Sequence, residues 1–250
     1  MLKLQAHNRL KINAFIKPYR GLYFCYITQG IFKCKTRYFL MRTHSNSTSI
    51  NNRDVIALTS IKEVILIRHG KPLSAHNEKV NSASYANWVR NYNKSPLDPA
   101  SHPKQQVSIE NSYIIVSPLL RAKLSAAYYG VTRVDEEVFN LKEMDIPYYK
   151  LPFVLRTWHW VLLSRTLWIM SFKGRFESFK CARQRVEELS LHIESLSNSH
   201  QRIVLFGHGM TNYFTRKALM KNGWELTQKD GDFWGVTALR KYDVEAANNI

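Results

Sequence analysis

The segment Val64-Ile65-Leu66-Ile67-Arg68-His69-Gly70 is a run of branched apolar residues that ends in an arginine, a histidine and a glycine. A similar pattern returns far along the chain as Ile203-Val204-Leu205-Phe206-Gly207-His208-Gly209. Short apolar runs of this kind predict buried β-strands. Each imidazole is therefore expected at the carboxyl end of a strand, which is where the ligand crevices of open α/β sheets form.

A third segment, Ser117-Pro118-Leu119-Leu120-Arg121-Ala122, joins a predicted strand at 113–117 to a predicted helix from Pro118 to Tyr129. Proline suits the first helical turn, where its missing N–H costs nothing. Arg121 is then expected one turn into the helix, near an end whose free N–H groups favour anions. A solitary histidine or arginine is usually structural, but two imidazoles and two guanidiniums at one rim can hold a phosphoryl group while a neutral imidazole attacks it.

Strand and helix patterns alternate from Glu63 onward. Besides a strand at 63–68 and the segments above, the sequence predicts a polar loop and helix through about residue 110, a short strand near 137–139, a helix at 176–196, a strand at 202–206, a helix at 210–221 and a last strand at 235–239. The helix at 176–196 is the clearest, because its apolar residues fall close to three and four positions apart. This alternation predicts an α/β fold, a three-layer α/β/α sandwich with a mostly parallel central sheet.

The positive charge is unevenly distributed along the chain. The 250 residues carry a formal net charge of +17, yet residues 1–60 hold ten Lys or Arg and a single acid, Asp54. From residue 61 onward the balance is 26 basic against 18 acidic residues, or +8. A moderate positive charge suits an enzyme that attracts small anionic substrates, and it does not by itself predict nucleic-acid binding.

Residues 1–60 are predicted to be a basic N-terminal extension outside the fold, and residues 61–245 to form one folded domain. The extension has no clear helical or strand period and ends in the polar run 43–52. Three explanations stay open: an organelle-targeting leader, a basic arm for a membrane or nucleic acid, or poorly ordered sequence upstream of a true start at Met41. The Tyr and Phe content fits a transit peptide poorly, so we favour the start-codon explanation.

Cys25, Cys34 and Cys181 show no Cys-x-x-Cys spacing, so neither a zinc site nor a disulfide framework is predicted. The stretch 151–172 comes nearest to a membrane span but is interrupted by charged and polar residues, and no span is expected. We expect a cytoplasmic protein. The motifs and the moderate charge of residues 61–250 favour a small phosphorylated substrate as its partner rather than nucleic acid. The sequence does not determine the oligomeric state.

These motifs, in this order, resemble the histidine phosphatase superfamily in its phosphoglycerate-mutase-like branch. The matching residues are Arg68-His69-Gly70, Ser117-Pro118-x-x-Arg121-Ala122, an acid after Leu141-Lys142, and Gly207-His208-Gly209, and the resemblance covers about residues 62–242. It implies that His69 is phosphorylated during turnover and that Arg68, Arg121 and His208 hold the phosphoryl oxygens. It implies Glu143 as the acid that protonates the leaving oxygen, and neither a metal nor another cofactor. We also expect Gly70 and Gly209 at the phosphate, because a glycine lets the substrate come close to the backbone.

The acid has close competitors in the sequence. Glu136, Glu137 and Asp145 lie near Glu143. The context Leu141-Lys142-Glu143 resembles the family pattern, and Gly209-Met210-Thr211 offers no acid directly after the second histidine. A carboxyl that donates a proton near neutral pH needs a raised pKa, which we expect from burial against Tyr148, Tyr149 and Phe153.

The segment after the first glycine favours a phosphatase over a mutase. Mutases of this family carry a polar residue and an asparagine there, whereas this chain has Gly70-Lys71-Pro72-Leu73-Ser74, in which Pro72 lacks an N–H donor. We expect hydrolysis of a phosphomonoester through a phosphohistidine. Two alternatives stay open: a phosphoglycerate-mutase-type phosphotransferase and a non-catalytic phosphate-binding regulatory protein.

The resemblance also implies a helical lid insertion over the phosphate pocket at 158–168, similar to a bacterial subgroup with Trp, Arg and Trp in this place. The tryptophans of this stretch can bury an apolar leaving group, contact a membrane surface or pack between the lid helices, and we expect packing. Membrane contact is also open for residues 1–60. Arg156 and Arg165 are candidate contacts for a second charge on the substrate.

Overall fold

The computed structural model describes residues 25–28, 31–34 and 59–244. The chain divides into two units, residues 1–54 and 55–250. In the described part of the first unit, β1 (Cys25–Thr28) and β2 (Ile31–Cys34) pair antiparallel. Apart from residues 59–60, which begin the next strand, the rest of the predicted N-terminal extension lies outside the described residues, and its three explanations stay predictions.

The second unit contains the alternating strands and helices. Its strands are β3 (Thr59–Arg68), β4 (Lys79–Asn81), β5 (Tyr113–Val116), β6 (Glu136–Glu137), β7 (Val154–Arg156), β8 (Arg202–Gly207), β9 (Glu225–Gln228) and β10 (Val236–Val244). Its helices are α1 (Ser82–Lys94), α2 (Leu120–Tyr128), α3 (Thr157–Ile169), α4 (Phe179–Leu196) and α5 (Gly209–Lys221), with a short 3-10 helix at Phe139–Leu141.

Six strands form one central sheet in the order β6-β5-β8-β3-β10-β9. β6, β5, β8 and β3 run parallel, whereas β10 and β9 add antiparallel pairings at one edge. β3 and β8 are neighbours, and their register pairs Arg68 with Gly207. A histidine follows each of these residues, so the strand register alone brings His69 beside His208.

Helices cover both faces of this sheet. Val64 and Leu66 of β3 belong to the core under α4 and α5. The alternate residues Ile65 and Ile67 belong to the core under α2 and the segment 107–109. Because successive side chains of a strand point to opposite faces, one apolar run supplies both cores. The predicted three-layer α/β/α architecture with a mostly parallel sheet is confirmed.

The predicted lid is a small subdomain with its own core. β4 and β7 pair antiparallel beside α1 and α3. Tyr85 of α1 stacks on Trp160 of α3 with ring centroids 5.4 Å apart, and Trp160 Nε1 donates to the Val80 carbonyl at 2.8 Å. Both rings are fully buried. No helix in the described part of the chain is long and apolar enough to cross a membrane.

Two predicted helices have other boundaries in the structure. α1 ends at Lys94, and residues 95–112 are irregular instead of helical to about 110, because Pro96, Pro99 and Pro103 lack the N–H that a helix interior needs. α2 begins at Leu120 after the N-cap Leu119, so Pro118 precedes the helix. Arg121 is consequently the second helical residue rather than one turn inside.

The strands also differ from the sequence predictions at several places. β3 begins at Thr59, four residues before the predicted start, since its antiparallel pairing with β10 continues to that residue. β9 was not predicted, because its sequence Glu-Leu-Thr-Gln is mostly exposed and carries no apolar run. The lid strands β4 and β7 are only three residues each and gave no periodic signal either.

Candidate active site

His69 lies immediately after β3 and is 1% exposed. Its Nδ1 is 2.7 Å from the carbonyl oxygen of Gly70, so Nδ1 carries the proton and donates it there. Nε2 therefore keeps its lone pair. Burial, with the nearby Arg121 and Arg68 cations, holds the pKa of His69 well below its ordinary value, although the Gly70 carbonyl acts in the opposite direction. The structure thus presents a neutral imidazole whose Nε2 carries the lone pair of a potential nucleophile.

His208 is the N-cap residue of α5, and its ring centroid lies 5.0 Å from that of His69. Its Nε2 is 2.7 Å from Ser117 Oγ, which also accepts the Leu119 backbone N–H at 3.4 Å. Among the described residues, His208 Nε2 is the only acceptor within hydrogen-bond distance of the Ser117 hydroxyl. We therefore assign the proton of the neutral His208 ring to Nδ1, a buried atom with no partner within the described structure.

Arg121 brings a fully buried guanidinium to the two imidazoles. Its Nε donates to His69 Nε2 at 3.1 Å, and its Nη1 lies 3.3 Å from the Asn93 carbonyl oxygen and 3.5 Å from that of Tyr92. Its Nη2 has no partner among the described residues. A buried donor without a partner costs free energy, so Nη2 is poised for an anion.

Arg68 approaches the same place from the end of β3. Its Nη1 donates to the Gly231 carbonyl at 2.7 Å, and its guanidinium lies 4.2 Å from the centroid of Phe233. Its Nε is buried without a partner in the described structure. The site therefore contains three buried N–H groups without a partner in the described structure, on Arg68, Arg121 and His208.

The two glycines of the motifs lie against protein atoms, and their predicted part in phosphate binding stays a prediction. A Cβ on Gly70 would lie 2.3 Å from the ring of Trp234, whose Nε1 donates to Ser101 Oγ. A Cβ on Gly209 would lie 3.2 Å from the Arg68 guanidinium. Gly70 thus accommodates the Trp234 ring, and Gly209 allows Arg68 to reach the N-terminus of α5.

Glu143 lies at that same N-terminus. Its carboxylate accepts the backbone N–H of Thr211 at 3.2 Å and that of Met210 at 3.5 Å, and the Thr211 hydroxyl at 3.3 Å. The burial expected from aromatic neighbours is not what surrounds it. Tyr148 and Tyr149 pack on Phe176, and Phe153 packs near Trp160. The helix N-terminus, which favours negative charge, determines its position instead.

The competing acids are engaged elsewhere. Glu136 is 2.8 Å from His192, and Glu137 is 2.6 Å from Lys123, at the exposed end of the sheet. Asp145 accepts the Glu177 N–H and pairs with Lys142 at 3.1 Å. Although burial acts to raise the pKa of Asp145, these two contacts lower it overall. Of the four acids, Glu143 is the one that shares a cavity with Arg68.

The segment after Gly70 is fastened to the loop that follows α1. The N–H groups of Lys71, Leu73 and Ser74 donate to Ser101 Oγ, the Pro96 carbonyl and Ser95 Oγ, respectively. Lys71 Nζ pairs with Asp98 at 3.1 Å. These backbone donors are therefore committed to protein acceptors, and Pro72 has none to offer.

A cavity of about 390 Å³ is lined by Arg68 and Gly209, which are next to His69 and His208 in the chain, by Glu143 and by lid residues. Trp158 is half-buried and lines it, whereas Trp160 and Trp168 are buried in packing. Arg165 also lines it, but Arg156 is exposed and does not. Trp158 also packs edge-on against Trp88 of α1, with ring centroids 5.4 Å apart, so all three tryptophans take part in packing, and membrane contact stays a prediction.

Sequence reasoning missed three side chains that complete the site. Ser125, four residues after Arg121 on the same face of α2, accepts the Gly70 N–H at 3.0 Å and donates to the Arg121 carbonyl at 2.7 Å. The i, i+4 spacing was the available signal. Trp234, which lies against Gly70, and Arg216, which lines the cavity, come from distant segments, and nothing in their local sequence indicated the site.

The described residues hold no group of three or more His, Cys, Asp or Glu that could ligate a metal ion. Cys181 is free and exposed, while the side chains of Cys25 and Cys34 lie outside what the structure describes. The expectations of no metal site and no disulfide framework stay predictions for the whole chain.

Comparison with known proteins finds likenesses in structure only. No protein family model and no curated protein matches the sequence. The chain is similar to solved phosphatases. A functionally characterised open reading frame of Mycobacterium tuberculosis has 16% identity, with 73% of this chain and 96% of that chain covered and a TM-score of 0.48.

Two further similar structures are phosphatases by description. A phosphoserine phosphatase from Entamoeba histolytica, solved with 3-phosphoglyceric acid, has 18% identity, coverage of 71% and 89%, and a TM-score of 0.45. A mycobacterial glucosyl-3-phosphoglycerate phosphatase has 14% identity, coverage of 75% and 99%, and a TM-score of 0.43. At these values the functional assignment depends on the geometry of the site itself.

Proposed function

We propose that this chain is a phosphatase of the histidine phosphatase superfamily that hydrolyses a phosphomonoester through a phosphohistidine at His69. One observation carries the proposal: the Nε2 lone pair of the neutral His69 ring accepts the Arg121 Nε–H at 3.1 Å, and the His208 ring centroid lies 5.0 Å from the His69 ring centroid. A nucleophile and the donors for a phosphoryl group thus meet at one point. Such positioning and charge neutralisation are what phosphoryl transfer requires of a protein.

The reaction takes two displacements. In the first, His69 Nε2 forms a bond to phosphorus, the phosphorus–oxygen bond to the leaving group breaks, and the protonated Glu143 carboxyl gives its proton to the leaving oxygen. In the second, Glu143 takes a proton from water, the water oxygen bonds to phosphorus, and the bond to Nε2 breaks. Before the reaction, Arg121 Nε faces Nε2 of His69. During transfer, the Nε–H and Nη2–H of Arg121 bind phosphoryl oxygens, and so do Arg68 and the Nδ1–H of His208.

Trapping the phosphoenzyme tests the proposal. Brief incubation with an aryl phosphate followed by acid-free denaturation should leave a phosphoryl group on Nε2 of His69, detectable by ³¹P NMR as an acid-labile, base-stable species. His69→Ala should form none and should lose turnover while its circular dichroism stays that of the wild type. Retained turnover in the folded His69→Ala protein would refute the assignment.

The loop after Gly70 supports hydrolysis over mutase-type transfer, because its backbone N–H groups are already bound to protein acceptors. With the N–H groups of Lys71, Leu73 and Ser74 bound to the loop at 95–101, that segment offers no backbone grip for a second phosphoryl position. The expected product is therefore inorganic phosphate, whether or not a phosphorylated acceptor is added. We also expect full activity after treatment with EDTA, since no step uses a metal ion. A non-catalytic phosphate-binding protein would instead bind vanadate or phosphate and release no product.

A further inference from the structure

The lid helix α3 is apolar on the side that faces solvent as well as on the side that packs. Its 13 residues carry one Lys, Arg, Asp or Glu, the buried Arg165. Its exposed positions are His159, Leu162, Thr166 and Ile169, and their spacing of three and four puts them on one face of the helix. A helix that is apolar on all sides is normally buried on all sides, so this outer face lacks a partner within the described structure.

The apolar surface continues past the end of α3. Met170 and Phe172 follow the helix and are 64% and 53% exposed, while Leu162 is 69% and Ile169 48% exposed. We call the surface formed by Leu162, Thr166, Ile169, Met170 and Phe172 the lid crest. Single apolar residues are common on protein surfaces, whereas a group of them on one helix face and the turn after it marks a docking surface.

The polar groups of the lid crest are already satisfied by the protein. The Thr166 hydroxyl donates to the Leu162 carbonyl at 3.0 Å. In the turn, the Phe172 N–H donates to the Leu167 carbonyl at 3.0 Å, and the Phe172 carbonyl accepts the Tyr149 hydroxyl at 2.9 Å. Burying a polar group costs free energy unless it is hydrogen-bonded, so these groups can leave water at little cost.

The chain around the lid crest is basic. Residues 146–176 contain no Asp or Glu. Four of their cations are exposed and lie beyond salt-bridge distance of any carboxylate in the described part of the chain: Lys150, Arg156, Lys173 and Arg175. Arg156 is the N-cap residue of α3 and Lys173 follows Phe172, so cations flank the crest at both ends. The partner that this surface fits is apolar inside and negatively charged outside.

We infer that the lid crest docks on an anionic membrane surface, lying in the interface rather than crossing it. The apolar side chains then enter the boundary between headgroups and acyl chains, and the four cations bind anionic headgroups. A protein partner fits less well, because a stable protein interface uses about 20–30 residues a side. A second copy of this chain in a two-fold contact brings the same cations against each other.

Flotation of the full chain with lipid vesicles tests the inference. Vesicles of phosphatidylcholine with about one-third phosphatidylserine should bind the protein at least about tenfold more tightly than vesicles of phosphatidylcholine alone. Leu162→Gln together with Met170→Gln removes two apolar side chains of the crest without changing its charge. This double variant should bind the anionic vesicles at least about tenfold more weakly than the wild type.

The chain offers a matched control elsewhere on its surface. Leu191 on α4 and Met220 on α5 are 63% and 44% exposed. Leu191→Gln with Met220→Gln makes the same chemical change outside the lid and should leave vesicle binding within about twofold of the wild type.

A second pair of variants tests the charge. Lys173→Gln with Arg175→Gln should weaken binding to the anionic vesicles at least about tenfold. Arg133→Gln is the control, since its side chain is 87% exposed and lies outside the lid, and it should bind as the wild type does. None of the substituted side chains lines the cavity that Arg68 and Glu143 share, so the result does not depend on the proposed function.

Equal affinity of the wild type for anionic and neutral vesicles overturns the inference. So does a folded Leu162→Gln, Met170→Gln variant that binds anionic vesicles as the wild type does, which is the result expected if the ten Lys or Arg of residues 1–60 act alone. A dimer in vesicle-free sedimentation that this variant dissociates, with vesicle binding unchanged, would show a contact between copies instead. If the variant does not fold by circular dichroism, the Lys173→Gln, Arg175→Gln variant decides by the same criterion.

Discussion

Replacing Arg121 by methionine should remove most of the activity without a matching loss of stability. The side chain is fully buried, and its two carbonyl contacts, at 3.3 and 3.5 Å, are long. No carboxylate forms a salt bridge with it within the described residues. A buried charge without an ion pair contributes little to the free energy of unfolding, and an apolar residue of similar size is often as stable or more so.

The loss of activity follows from the atoms that Arg121 presents. In the transition state Nε–H and Nη2–H would both bind phosphoryl oxygens, and loss of one such donor costs about 10²–10³ in kcat. Loss of both, with the positive charge, should lower kcat by at least about 10³. Arg121→Lys keeps the charge but cannot present the two fixed N–H groups of a guanidinium, so its kcat should lie between those of Arg121→Met and the wild type.

Three measurements test these expectations for Arg121→Met. Initial rates with an aryl phosphate give kcat, urea unfolding gives stability, and NMR titration follows His69. Because Arg121 is, after burial, the strongest influence that lowers the pKa of His69, that pKa should rise in Arg121→Met. Activity within tenfold of the wild type, or a free energy of unfolding lower by more than about 2 kcal/mol, contradicts the reasoning. Arg133→Met should leave all three unchanged.

Three further predictions concern the imidazoles and the glycines. Since burial holds the pKa of both imidazoles well below 6.5, the unfolded chain takes up two protons that the folded chain does not. Stability is then lost as pH falls below about 6.5, by up to about 2.7 kcal/mol per pH unit until the folded-state pKa values are reached; urea unfolding that is flat from pH 7 to 5 contradicts this. Ser117→Ala should abolish the Nδ1–H tautomer of His208 seen by ¹⁵N NMR and lower kcat by about tenfold or more, whereas an unchanged tautomer disproves the assignment. Gly70→Ala should destabilise the fold by about 1–3 kcal/mol through its clash with Trp234, while Gly231→Ala, which meets no atom within 4 Å, should not.

The order of the elements in the core could be predicted from the sequence because it depends on local patterns. Apolar runs of four residues gave β3, β5 and β8, and the three-and-four spacing gave α4, whose Val186, Leu189 and Ile193 are buried as expected. The strands at the edges were not predicted, because they have no such local pattern. β9 and the lid strands are short and half-exposed, so tertiary pairing rather than local pattern makes them strands.

The pairing of the two histidines was accessible from sequence for the same reason. Each follows a run that had to be a buried parallel strand, and neighbouring parallel strands end at the same edge of the sheet. Only the register of β3 on β8 decided that they are direct neighbours. The aromatic burial expected around Glu143 was wrong, because the group that holds its carboxylate, the N–H of Thr211, comes from another part of the chain. The contacts of Gly70 with Trp234 and of Gly209 with Arg68 could not be predicted for the same reason.

The sequence by itself determined the fold class and the set of reactive side chains, since periodicity and short motifs are properties of consecutive residues. The tertiary structure alone decided which nitrogen of His208 carries the proton, which acid faces the cavity, and that Arg165 and Arg216 share it. Those features depend on contacts between residues 21 to 91 positions apart along the chain, such as Arg165 with Met144 and His208 with Ser117. Local patterns carry no information about such distances, because they arise only when the sheet and the lid have packed.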